Sequence, residues 1–355
     1  MSTAADLLYS EDEEHLRAAV RELLTDLNDP AAVTVRAEAG DPYDPALLDA
    51  LAAMGLNGLL VPEKLGGQGA GHREAAVVLE ELGRAAAPAP YLTGAVMAAE
   101  ALLALDTGDA TVAGLLADLA AGRKRVALAI SFATLPHYSP SSSTTVADAA
   151  GADVLLVLRP DGLYAVEDAE TTPLTPLDLT RPLADVDGGT GVRLPGDASA
   201  AVGRALLAGA GLLASEQLGL ADWCLTETVR YLKERKQFNR PVGGFQAIKH
   251  RLAQLWLEVE NARAAARYAA DALATGNPDT EVAVALAQAY CSEVAVHAAE
   301  ECVQLHGGLG MTWEHPAHLY LKRAKADHIA LGTPGRHRAR LAELVDLPEP
   351  LPTAD

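Results

Sequence analysis

Around a Pro241-Val242-Gly243-Gly244 turn the chain sets out Arg235, Gln237, Phe238 and Gln246. A guanidinium fork pairs with two phosphate oxygens at once, an amide both donates and accepts, and an aromatic face stacks on a flat ring. Those residue types at that spacing point to a nucleotide cofactor. The same stretch, Tyr231 to His250, also reads as an exposed, charged helix end followed by a turn, and residue types alone do not separate the two. A second group, Glu314, His315 and His318, has the types of a metal site. Pro316 stands between the histidines and no HExxH spacing is present, so no zinc site is expected there.

Positioning such a site requires a large core, and 355 residues, half of them apolar but only 4% aromatic, can build one from closely packed helices. A mainly α protein with a small β domain is expected. A formal charge of −20 repels a phosphate backbone, which excludes general nucleic-acid binding. The acidic amino end has no basic segment leading into an apolar one, so no secretory leader is expected and the cytoplasm is the expected location. The apolar run Ala205 to Ala214 is about half of the ~20 residues a membrane span needs. Cys224, Cys291 and Cys302 are odd in number and widely spaced, which suits reduced core thiols.

Ser10 and Glu13 have capping-box spacing ahead of Leu16, Val20, Leu23 and Leu24, so the first helix starts there. A second opens at Asp44-Pro45 and stops near Gly55. Gly66, Gly67 and Gly69 make the next segment a loop, either approaching a ligand or only turning the chain. Glu74 to Arg84 and Leu92 to Leu105 are helical. Val126 to Ser131, Asp153 to Leu158 and Gly162 to Glu167 then read as strands, with a Ser/Pro-rich surface loop between the first two. Helices follow over Ala205–Glu234, Gln246–Ala274 and Thr280–Leu305, with one final segment to near Val345. The expected division is an N-terminal helical domain over 1–121, a shortened middle β domain over 122–197 and a C-terminal four-helix bundle over 198–350.

With those segments placed, the chain resembles the acyl-CoA dehydrogenase family along nearly its whole length. The likeness is carried by VPEKLGGQG and EELGRA near the start, PLDLTRPLADV, YLKERKQFNRPVGGFQAIKH and VQLHGGLGMTWEHP. It implies FAD shared across a subunit interface, an acyl-CoA thioester substrate and an electron-transfer flavoprotein as electron acceptor. It also implies that the adenosine and pyrophosphate half of a neighbour's FAD is held by Arg-x-x-Phe, here Arg235 and Phe238, and Gln-x-x-Gly-Gly, here Gln304, Gly307 and Gly308. His306, beside them, reads as a hydrogen-bonded residue near the cofactor rather than a base.

The sequence departs from the family at the reacting end. The Thr-Glu-Pro and Gly-x-Gly-Ser run that meets the flavin ring and the thioester is absent after the first strand. The usual catalytic glutamate position holds Leu331, and the alternative position used by a subset of the family falls near Gly209. Glu216 is the remaining candidate for a relocated base. These features together resemble the non-catalytic subunit of actinobacterial heteromeric acyl-CoA dehydrogenases, heterotetramers that often act on steroid side-chain thioesters. Two readings stay beside it: a self-sufficient homo-oligomeric dehydrogenase using Glu216, and a non-enzymatic CoA-thioester-binding scaffold.

Overall fold

A computed structural model describes residues 7–137 and 143–345. Part of the Ser/Pro-rich loop, the first six residues and the last five of the 198–350 segment lie outside the described residues. The amino-terminal region opens on the expected capping box, with Ser10 Oγ accepting from Glu13 N at 3.2 Å and Glu13 Oε2 accepting from Ser10 N at 2.6 Å. It starts α1 (Glu11–Leu27). Next come α2 (Pro30–Glu38) and α3 (Pro45–Ala53), each begun by a capping aspartate and a proline in its first turn. The sequence reading missed α2, although Asp29-Pro30 repeats the signal it used at Asp44-Pro45. In the glycine loop, a Cβ at Gly67 would fall 2.0 Å from Val61 O, so close passage of its own backbone is what requires that glycine.

Helix α4 (His72–Arg84) is followed by a π-helical stretch, Tyr91–Ala98, that runs into α5 (Ala99–Leu103), and then α6 (Ala110–Ala120). An ordinary α-helix was expected over Leu92 to Leu105. The β region holds β1 (Val126–Leu128), β2 (Val146–Ala147), β3 (Val154–Arg159), β4 (Gly162–Val166), β5 (Glu170–Leu174), β6 (Leu183–Asp187) and β7 (Val192–Leu194). One sheet runs β1-β3-β4-β7, with β1 and β3 parallel, and a second runs β2-β6-β5. The three expected strands are β1, β3 and β4. The others are too short or too polar to show an apolar run: β5, ETTPL, pairs through its backbone alone in that sense.

The carboxyl region is built on α7 (Ala198–Glu234), a hairpin of β8 (Lys236–Gln237) and β9 (Arg240–Pro241), α8 (Gln246–Thr275) and α9 (Thr280–His306). The expected single final segment is two helices, α10 (Ala317–Asp327) and α11 (Pro334–Leu344), parted where Leu331 and Gly332 take φ of +52° and +105°. By length and mean hydropathy, α7 and the segment beginning with α9 are long enough to cross a membrane, yet 67% of each apolar window is buried inside the protein. They are the core of the bundle. Helix α7 runs through its centre, against α4, α5, α8 and α9.

Candidate functional site

Helix α7 ends at Glu234, and Arg235 leaves it in extended conformation with its N–H returned to Tyr231 O at 2.8 Å. Phe238 and Asn239 form the hairpin tip, both with positive φ, +52° and +61°, as a two-residue hairpin requires. That geometry turns the Phe238 ring outward, 87% exposed. Arg235 is also exposed. Among the described residues neither it nor Gln246 nor Gln304 has a side-chain hydrogen bond or ion pair, whereas Gln237 Nε2 donates to Lys236 O at 3.0 Å.

Helix α9 ends at His306, whose ring stacks on Tyr231 of α7 at 4.3 Å. The two predicted motifs therefore sit at the same end of the α7–α9 pair. Gly307 has φ +61° and ψ −135°, a conformation open to glycine, and a Cβ on Gly308 would meet nothing within 4 Å. Helix α8 starts at Gln246, across the hairpin from Arg235, with no side-chain cap, so its first N–H groups face outward uncapped. Lys233, Arg235, Lys236, Arg240 and Lys249 outnumber Glu234 here, a local positive patch on a strongly acidic chain. A guanidinium without a partner, an open glycine backbone and an uncapped helix start are groups that can each meet an anion.

The positions expected to carry a base lie elsewhere and face each other. A Cβ on Gly209 of α7 would fall 2.8 Å from Met97 Cγ and 3.3 Å from Leu331 Cδ1. Leu331 is fully buried, its N–H donating to Phe132 O at 2.7 Å and its carbonyl accepting from His337 Nε2 at 3.0 Å. Burial pushes the His337 imidazole down to about 4, so it stays neutral and Nε2 keeps the proton it donates. The Leu135 side chain closes over Gly332. A cavity of only about 10 Å³ remains beside these residues, next to Leu135, Leu207, Val284 and His337. Apolar side chains thus occupy the space between the two base positions.

Glu216, two turns further along α7 from Gly209, is buried and saturated. It accepts from Arg181 Nη2 at 2.6 and 2.7 Å and from Arg323 Nη1 at 2.5 Å. Arg181 also reaches Asp327 at 2.6 Å, and Arg323 reaches Asp178 and the Thr180 hydroxyl. Burial pushes the Glu216 carboxyl up, but the Arg181 and Arg323 guanidiniums outweigh it and hold it below the usual carboxylate range. Burial, reinforced by Glu216, drives Asp327 the other way, to about 7. The cluster ties the loop after β5 to α7 and α10. Sequence reasoning missed it, because its partners come from distant parts of the chain.

The trio Glu314, His315 and His318 does not converge. Glu314 is exposed, and His318 packs beside Trp313 at 4.5 Å with both ring nitrogens buried and unpartnered. All three cysteines are buried and free.

Family models for the acyl-CoA dehydrogenase N-terminal and C-terminal domains match residues 10–123 and 199–345. Over 94% of its length the chain is 37% identical to Acyl-CoA dehydrogenase IpdE2 of Mycolicibacterium smegmatis, spanning 98% of that protein. The chain belongs to the acyl-CoA dehydrogenase family. Among solved structures, a variant of the Tcur3481-Tcur3483 steroid ACAD is similar at a TM-score of 0.85 and 30% identity, over 95% of this chain and 98% of that one. The ChsE4-ChsE5 complex from Mycobacterium tuberculosis is similar at 0.84 and 25%, over 97% and 100%. Family membership explains the order of helices, small sheets and helices. The closed space at Leu331 is formed by this chain's own side chains.

Proposed function

We propose that this chain is the non-catalytic subunit of a heteromeric acyl-CoA dehydrogenase, supplying the adenosine and pyrophosphate half of an FAD site to a catalytic partner. The observation that carries this is a contrast within one chain: the stretch at Arg235 and Gly307-Gly308 is open, while the base position Gly209 is closed by Met97 and Leu331, and Leu331 is itself buried. The residues present fit one half of FAD and not the other. When bound, FAD accepts the substrate's β-hydrogen as hydride while a carboxylate base takes the α-proton. Arg235 would pair with the diphosphate, Phe238 would stack on the adenine, and Gln237, Gln246 and Gln304 would offer amide contacts. Gly307 and Gly308 would let backbone approach the phosphate oxygens.

The partner would supply glutamate, flavin-ring loop and acyl pocket, within a cytoplasmic heterotetramer that passes electrons to an electron-transfer flavoprotein. Likeness to a steroid ACAD supports a bulky, steroid-derived acyl-CoA as substrate class. The saturated carboxylate of Glu216 favours a structural role for that residue over base chemistry.

Flavin content tests the proposal. The chain purified alone is expected to be colourless, and its complex with a full-motif acyl-CoA dehydrogenase paralogue is expected to hold flavin. Arg235→Ala in the complex should weaken FAD retention by roughly 10- to 100-fold, the worth of a hydrogen bond to a charged group. Dehydrogenase activity in the chain alone would refute the proposal, and an Arg235→Ala complex with unchanged flavin would favour the scaffold reading.

A further inference from the structure

We propose that Glu227, His306 and His315 form a binding site for a single divalent transition cation, zinc being the best match. The three come from α7, the end of α9 and the connection before α10, so no spacing in the sequence announces them. Their ligand atoms all lie within 4.8 Å of one another. Glu227 Oε1 stands 3.6 Å from His315 Nε2 and 4.0 Å from His306 Nε2. Tetrahedral zinc, with bonds of about 2.0–2.2 Å, needs ligand atoms roughly 3.3–3.5 Å apart, which small side-chain movements supply.

The independent sign of a missing ligand is on His306. Its Nδ1 lies 2.7 Å from Cys302 O, which fixes the proton on Nδ1 and leaves a lone pair on Nε2. The ring is buried, and Nε2 has no hydrogen-bond partner. An imidazole held through Nδ1–H by a backbone carbonyl, its other nitrogen bare and aimed at a carboxylate, is the usual presentation of a metal-bound histidine. The two rings are 4.2 Å apart, so the second histidine is already in place. Two imidazoles and a carboxylate suit zinc better than magnesium or calcium, which prefer oxygen donors. Glu227 and His315 side chains keep 17% and 11% exposure, which gives the ion an entry path.

Two bonds oppose binding and set its expected strength. Arg230 holds Glu227 bidentately at 2.5 and 2.8 Å, and its exposed side chain must turn away. His315 Nδ1 accepts from Ala317 N at 3.2 Å, a bond that is lost when Nε2 takes metal and Nδ1 takes the proton. A bound ion would fasten α7 to the turn that carries Gly307 and Gly308. The site nonetheless stands on its own residues, whether or not that turn holds a nucleotide.

The test uses the full chain, tag-free and metal-stripped, titrated with zinc chloride by calorimetry and with cobalt chloride by visible absorbance. One zinc per chain and the strong d–d bands of tetrahedral cobalt are expected. Glu227→Gln and His315→Ala should each weaken zinc binding by roughly tenfold or more. Arg230→Ala should tighten it by releasing Glu227. Thermal melts without zinc establish that each variant folds, and His315→Ala, in a connection at the surface, is the variant least exposed to misfolding. Absence of zinc binding below millimolar concentration overturns the proposal, as does binding that folded His315→Ala leaves unchanged.

Discussion

Arg181 and Arg323 are buried charges that must find carboxylates, and they have found Glu216 from 35 and 107 residues away. Removing one partner of such a cluster leaves the others charged in a low-dielectric place, at a cost of about 3–5 kcal/mol. Glu216→Gln is therefore expected to lower the urea midpoint sharply, with any loss of activity in the complex tracking the unfolded fraction. A variant as stable as the parent that nonetheless ends turnover would restore Glu216 as the base. The residues of the proposed nucleotide cradle could be named from the sequence because Arg235 and Phe238, like Gln304 and Gly307, are neighbours in it, and a local spacing is what a motif preserves. The partners of Glu216 were not, since pairing across that many residues leaves no period to read. The same holds for Glu227, His306 and His315 of the proposed cation site, which come from three separate parts of the chain.

Between elements, the contact that fixes α4 on α7 is made by two glycines. A Cβ on Gly219 would fall 1.8 Å from Glu80 O, and one on Gly83 would fall 2.0 Å from Glu216 O, so each helix rests its backbone in the other's missing side chain. Glu80 and Glu81 are further held by Arg17, Arg21 and Arg263, which resist any retreat of α4. Gly219→Ala is expected to cost roughly 3 kcal/mol, the upper part of the range for overpacking, read as a shift in urea midpoint. A neutral result would mean the helices slide freely. The turn between α10 and α11 has its own lever in His337. Its folded pKa, about 4, lies below the ~6.5 of an unfolded histidine. The unfolded chain thus binds more protons between those values, and this residue's contribution is complete above pH ~6.5 and lost as pH falls toward ~4, a change of about 3 kcal/mol. His337→Gln retains an N–H for Leu331 O but does not titrate. The parent should lose more stability than the variant between pH 7 and pH 4.5, and parallel losses would show that the imidazole titrates as readily in the folded as in the unfolded state.

At the scale of the whole molecule, the order of helices, sheets and helices was legible from periodicity because α7, α8 and α9 are long and their apolar faces repeat. The short or polar strands β2, β5, β6 and β7 were not, because backbone pairing, invisible in composition, makes them strands. What no single chain displays is the surface it turns to a partner. Phe238, Met311, Trp313 and Trp256 are 87%, 78%, 58% and 57% exposed, large apolar groups near the end of the bundle that carries Arg235 and Gly308. Aromatic and methionine side chains left in water are the usual anchors of an interface. If that end completes a partner's cofactor site, forming the complex must bury it. Backbone amides over 236–246 and 307–313 should then exchange with deuterium more slowly in the heteromer than in the free chain, while those in the α1–α2 connection should not change. Slowed exchange confined to the β region, with the hairpin tip still fast, would place the partner on another face and remove the structural basis for a shared FAD.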